Sequence, residues 1–163
     1  MKIDESQVIE TNDYRVIIYP ASRPFSAKES KAISEKLFDF LATWAAHGKP
    51  LSSSFKIEKN QFVVVCVDED KEAASGCSID ALTGVFRELD NEFNFGFFDR
   101  MKASYVLDGE VKTIALKDFK EGLKNGSIPH SIEVFDFSKN TYVNFLSDFL
   151  LPLKRSWAGV YVD

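Results

Sequence analysis

The chain has 163 residues, 45% apolar and 28% charged, with a formal net charge of −5 at pH 7. That length builds one domain with a real core and is short for two. The acidic balance, with no Lys/Arg block, gives no general electrostatic drive toward nucleic acid or an anionic membrane, and no apolar run approaches the ~20 residues that span a bilayer.

Residues 1–13 read as a loose arm or an early edge element. The opening MKIDESQVIETNDY is polar and acidic and does not resemble a signal peptide, so a soluble, cytoplasmic protein is expected. Thiols stay reduced there, and Cys66 and Cys77 are expected free. Residues 14–19 (YRVIIY) predict a strand, ended by the two prolines of PASRP. Ser26 with Glu29 forms a capping-box pattern, and Ile33, Leu37, Phe40, Leu41 and Trp44 make a helical stripe. Gly48, after His47, is expected to close that helix.

Residues 53–59 alternate around Phe55 and Ile57, a one-sided strand. Asn60-Gln61 marks a turn. FVVVCV (62–67) has no alternation, the pattern of a strand buried on both faces. A polar loop then leads to a second helix with Ile79, Leu82, Phe86, Leu89 and Phe93 on one stripe. Residues 101–107 and 111–116 flank Asp108-Gly109, a strong hairpin signal. A short helix at 116–124, a strand near 132–137 and a helix near 141–151 complete the chain.

This order predicts an α+β fold. Its core is a ferredoxin-like β-α-β-β-α-β unit with an antiparallel sheet, about residues 14–116, and a C-terminal strand/helix extension covers 117–163 of the single domain 1–163. In that arrangement the first and third strands are central, and these are the two runs without alternation. Part of the extension is expected to cover the open sheet face, because leaving apolar surface exposed costs about 25 cal/mol per Å².

The topology also gathers residues that the sequence scatters. The end of the first helix and the loop 68–80 fall at one edge, with Ser52, Ser53 and Ser54. His47, Lys49, Asp68, Asp70, Ser75, Cys77, Ser78 and Asp80 are therefore candidate neighbours. One chemistry is a thiol nucleophile: Cys77 at a helix N-terminus, His47 as base, Asp68 or Asp80 as orienter. The competing view is a cysteine packed beside a helix cap, with Ser75 or Ser78 as cap and Gly76 permitting the turn. A second chemistry is anion binding by Ser75, Gly76, Cys77 and Ser78, with Lys49 in reach. Asp68-Glu69-Asp70 lacks an EF-hand pattern and reads as a solvated loop, so no metal is expected. Cys66, inside FVVVCV, is expected buried and inert.

The runs WAAHGKPLSSSF, VVVCVDED and ASGCSID resemble a family of short bacterial proteins often labelled "ABC transporter ATPase". The resemblance runs from YRVIIY to about Tyr105. It implies a bacterial protein of this length and fold rather than an activity. The label itself finds no residues here: there is no GxxxxGK[ST] phosphate loop and no LSGGQ segment.

Two classes of function follow. The first is a binding or interaction domain, with homodimerisation through a sheet edge or the Phe-rich C-terminal segment as one route. The second is a small thiol-dependent enzyme or anionic-ligand site at the edge carrying His47 and Cys77. Neither calls for a cofactor, a nucleic acid or a membrane.

Overall fold

The computed structural model describes residues 14–162; residues 1–13, expected as an arm or early edge element, and residue 163 lie outside the described residues. The order is β1 (Tyr14–Pro20), α1 (Ala27–Ala42), β2 (Ala45–Ala46), β3 (Lys49–Pro50), β4 (Ser53–Glu58), β5 (Phe62–Asp68) and α2 (Gly76–Phe93). Then come β6 (Lys102–Leu107), β7 (Glu110–Ala115), α3 (Leu116–Asn125), β8 (Glu133–Phe135), α4 (Tyr142–Asp148) and β9 (Leu150–Pro152), with short 3-10 turns at Leu153–Arg155 and Trp157–Tyr161. The architecture is α+β with antiparallel sheets.

In the first sheet β5 lies between β1 and β4, antiparallel to both; Val67 faces Arg15 on one side and Ser53 on the other. β5 is buried along its apolar run because each face meets its own core. Val63, Val65 and Val67 turn toward Ile33 and Leu37 of α1 and Leu82, Phe86 and Leu89 of α2. Phe62, Val64 and Cys66 turn toward Phe135, Tyr142, Phe145 and Phe149. Both helices start in capping boxes, Ser26 with Glu29 and Ser75 with Ser78, which satisfy N–H groups that have no partner inside the helix.

The fourth strand departs from the ferredoxin-like expectation. β6 does not join β1. It pairs with β7 through the Asp108-Gly109 turn and with β8, in a second sheet ordered β7-β6-β8-β9. Asn140 and Thr141 take the vacant edge of β1: Val16 N–H donates to Asn140 C=O at 2.9 Å, and Arg15 bridges Thr141. The physical reason is the apolar face of Val16, Phe62 and Val64, which needs cover more than the sheet needs a fourth strand. Phe135, Val106, Val111 and α4 stack on that face. Part of the extension, within residues 135–150, does cover the open sheet face.

Two polar joints fix the layers. Lys102 Nζ donates to Pro20 C=O at 2.7 Å, Ser22 Oγ at 2.9 Å and Gly96 C=O at 2.7 Å. Gly96 needs its identity, because its φ is +77° and a Cβ would stand 2.5 Å from Ser22 Oγ. The buried Gln61 donates through Nε2 to Ala21 C=O at 3.0 Å and to Thr113 Oγ1 at 2.7 Å, joining the β4–β5 turn to β7.

Candidate functional site

The predicted gathering of loops takes place. Trp44 Nε1 donates to Ser78 C=O at 2.8 Å from a buried position, which docks the segment after α1 on the start of α2. Leu51 N–H donates to Trp44 C=O at 3.0 Å, and Asp68 N–H to Ser52 C=O at 2.8 Å. Lys49 approaches Glu72 at 3.8 Å.

His47 is placed differently from expectation. α1 ends at Ala42 with Thr43 as its C-cap, so His47 is not at the helix C-terminus. His47 and Gly48 form the turn between β2 and β3, with φ of 52° and 75°. Paired positive φ values are what a tight hairpin turn of this hand requires. His47 is exposed on that tip, and Cys77 and Asp80 are exposed in the first turns of α2. Among the described residues no hydrogen bond or ion pair joins His47, Cys77 and Asp80 to one another.

The Ser75–Ser78 group is occupied by its own cap. Ser75 N–H donates to Ser78 Oγ at 2.7 Å, Ser78 N–H to Ser75 Oγ at 3.1 Å, and Ser78 Oγ to Ser75 C=O at 2.8 Å. Gly76 has no positive φ and open space where a Cβ would go, so the turn does not depend on glycine. In the acidic loop, Asp68 accepts from Asp70 N–H at 3.2 Å and Glu69 from Ala74 N–H at 2.9 Å. Among the described residues no group of three or more His, Cys, Asp or Glu is placed to hold a metal ion.

The two cysteines differ in environment. Burial pushes the Cys66 thiol up to about 12. A maleimide is therefore expected to label Cys77 in the folded protein and Cys66 only after unfolding, with the Cys77 rate unchanged by His47→Ala. Mass spectrometry of the labelled peptides checks this; a Cys77 rate that drops on loss of His47 would restore a coupled pair.

A second feature was not singled out from the sequence. Among the described residues β4 is the terminal strand of its sheet. Because Ser52 C=O accepts from Asp68 N–H, the even-numbered residues of β4 turn their backbone groups to β5. Ser53, Phe55 and Ile57 turn theirs outward. Beside this edge, Phe38 of α1 stands 62% exposed. A hollow of about 280 Å³ lies between Phe38, Leu41, Leu51 and Ser53, and one of about 440 Å³ between Ser34, Glu35, Phe38 and Asp39; Phe55 lines both. Ser53 Oγ is buried there without a hydrogen-bond partner. The available signal was Phe38 itself, an apolar residue off the helical stripe.

The other edges of the two larger sheets are blocked. Asn140 and Thr141 cap β1, β7 carries the exposed Glu110 and Lys112, and β9 is three residues long and ends at Pro152. Charges, prolines and short length are devices that prevent strand addition. Among the described residues no strand or bridge pairs with the outer side of β4, and its charges, Lys56 and Glu58, are less exposed than Lys112 and Glu110 of β7. Lys56 Nζ pairs with Glu58 at 2.9 Å and lies over the Tyr142 and Phe145 rings at 5.1 and 5.0 Å.

No family model and no solved structure matches the chain. Glutamyl aminopeptidase of Mus musculus is 32% identical over 80 residues, which make up 49% of this chain and 8% of that protein. The matched part thus spans a small fraction of that relative's length.

Proposed function

We propose that this chain is a non-enzymatic interaction domain that takes up an extended polypeptide segment as an added strand along β4. The observation that carries the reading is the unblocked β4 edge, with outward backbone groups at Ser53, Phe55 and Ile57 beside the Phe38 groove. Backbone hydrogen bonds supply affinity in strand addition, and adjacent pockets supply specificity. The resemblance to short bacterial proteins is compatible with such a module, and the reading includes a cytoplasmic setting where Cys77 stays reduced. No helix among the described residues is long and apolar enough to cross a membrane. The short aminopeptidase match brings no activity to this reading.

Selection of a displayed random-peptide library on the immobilised chain tests it. Selected peptides are expected to slow amide exchange at Ser53, Phe55 and Ile57, and to be lost with Phe38→Glu and with Ser53→Pro. Proline at position 53 removes an outward N–H and leaves the ladder to β5 intact. A selection whose peptides leave these amides exchanging freely would sink the reading.

A further inference from the structure

We infer that the strand received at β4 is β4 of a second copy of this chain, paired antiparallel and centred on Phe55; this rests on the reading of β4 as a strand-accepting edge. A two-fold axis normal to the sheet keeps each face on its own side. Opposed residues must then share parity, and the outward-turned Ser53, Phe55 and Ile57 meet outward-turned residues of the partner. The edge is therefore self-complementary, as an isologous interface requires.

Charge and strand length choose the register. Centring on Lys56 sets it against the partner's Lys56, which like-charge repulsion disfavours. Centring on Ile57 pairs Lys56 with the partner's Glu58 but runs out at Lys59, whose φ of 52° ends the strand. Centring on Phe55 uses the full strand. Ser53 then faces the partner's Ile57, and Phe55 the partner's Phe55, each exchanging its backbone N–H and C=O. Lys56 faces the neutral partner's Ser54, while its own charge stays matched by Glu58.

A second copy also accounts for Phe38 better than a lone peptide does. A peptide adds a strand and brings no helix. A second copy brings its own α1 onto the same sheet face, beside the first, and covers the ring that now stands in solvent. The groove between α1 and β4 becomes the seam between two subunits.

Sedimentation equilibrium over a wide concentration range, on the full chain, tests the proposal. The wild type is expected to be a dimer, and Phe38→Glu and Ser53→Pro are expected to weaken it by at least about tenfold in Kd. Phe38 is exposed, so Phe38→Glu keeps the test valid should Ser53→Pro fail to fold. In a Cys77→Ser background, a short bismaleimide is expected to join copies through Phe55→Cys and not through Lys59→Cys, because the paired strands hold the two Lys59 positions at opposite ends. A monomer at every concentration, with selected peptides still protecting β4, would overturn this inference and leave the strand-accepting edge standing. A dimer indifferent to both substitutions would overturn this inference alone, whereas selected peptides that leave the β4 amides exchanging freely would overturn both.

Discussion

Phe62→Ala is expected to lower stability by about 3–5 kcal/mol, the usual cost of removing a fully buried phenylalanine ring. Phe62 opens β5 on the face turned to the second sheet, and none of its surface is exposed. Its ring centroid lies 4.8 Å from Phe135, 5.0 Å from Phe137 and 5.8 Å from Phe149. Those rings come from β8 and from the segments that follow β8 and α4, so the hole left by alanine has several walls that cannot all close in. A domain of this size has about 5–15 kcal/mol in total, and the loss is a large share of it. Phe38→Ala, at a position 62% exposed in the single chain, is expected to change stability by less than about 0.5 kcal/mol at concentrations where the protein is monomeric. The packing also predicts that the extension melts with the core. Trp44 belongs to the α1/α2 layer, and the Trp157 ring lies tilted against Phe119, centroids 5.9 Å apart, in the other layer. Single-tryptophan variants should therefore report one coincident denaturant transition. Two separated transitions, or a cost under about 1 kcal/mol for Phe62→Ala, would show that the layers are not coupled in this way.

Features with one local physical cause were readable from the sequence. The absence of alternation in FVVVCV signals a strand with apolar neighbours on both faces, and β5 has them. Asp108-Gly109 can do little except make a tight hairpin, and it takes φ of 52° and 79°. Ser26 and Ser75 cap the helices that follow them. His47-Gly48 was harder because two outcomes use the same local chemistry. A helix C-terminus and a tight hairpin turn both need positive φ, and the choice depended on Trp44 leaving the helix to donate to Ser78 C=O. The destination of β6 was set by demand elsewhere in the molecule. Nothing in residues 102–107 reveals that Asn140 takes the edge of β1, or that Phe135 and Phe149 need a roof of strands. The candidate thiol site shows the same division. The meeting of its loops follows from topology and was legible. The reach of His47, Cys77 and Asp80 toward one another depends on the turn at 47–48, which was not.

Lys102 gives the second large expectation, and its sign is opposite to that of most lysines. Burial pulls its ammonium down to about 8, with Asp99 and then Asp90 opposing the shift. The unfolded chain holds the proton up to the ordinary value of 10.5. Between those values the unfolded state binds more protons than the folded state, so this group's contribution to stability rises with pH. Below pH 8 the charged form is present in both states and the full penalty applies. Above about 10.5 it is gone. The rise amounts to at most about 3 kcal/mol, because each unit is worth about 1.4 kcal/mol and the neutral amine has one N–H too few for its three acceptors. Lys102→Met removes the titration. It also leaves Pro20 C=O, Ser22 Oγ and Gly96 C=O without this donor, so the variant is expected to be less stable at neutral pH by about 1–3 kcal/mol. The deficit should then widen from pH 8 to 10.5. Cys66, pushed up to about 12 from 9.0, removes stability as pH rises above 9, and the raised Tyr19 and Tyr105 act in the same direction. All three are present in both proteins and cancel in the difference. Urea unfolding of the two proteins at matched pH values measures that difference directly. A gap that stays constant with pH would mean that the Lys102 ammonium is as well stabilised by its three acceptors as by water, and that burial at this joint costs it nothing.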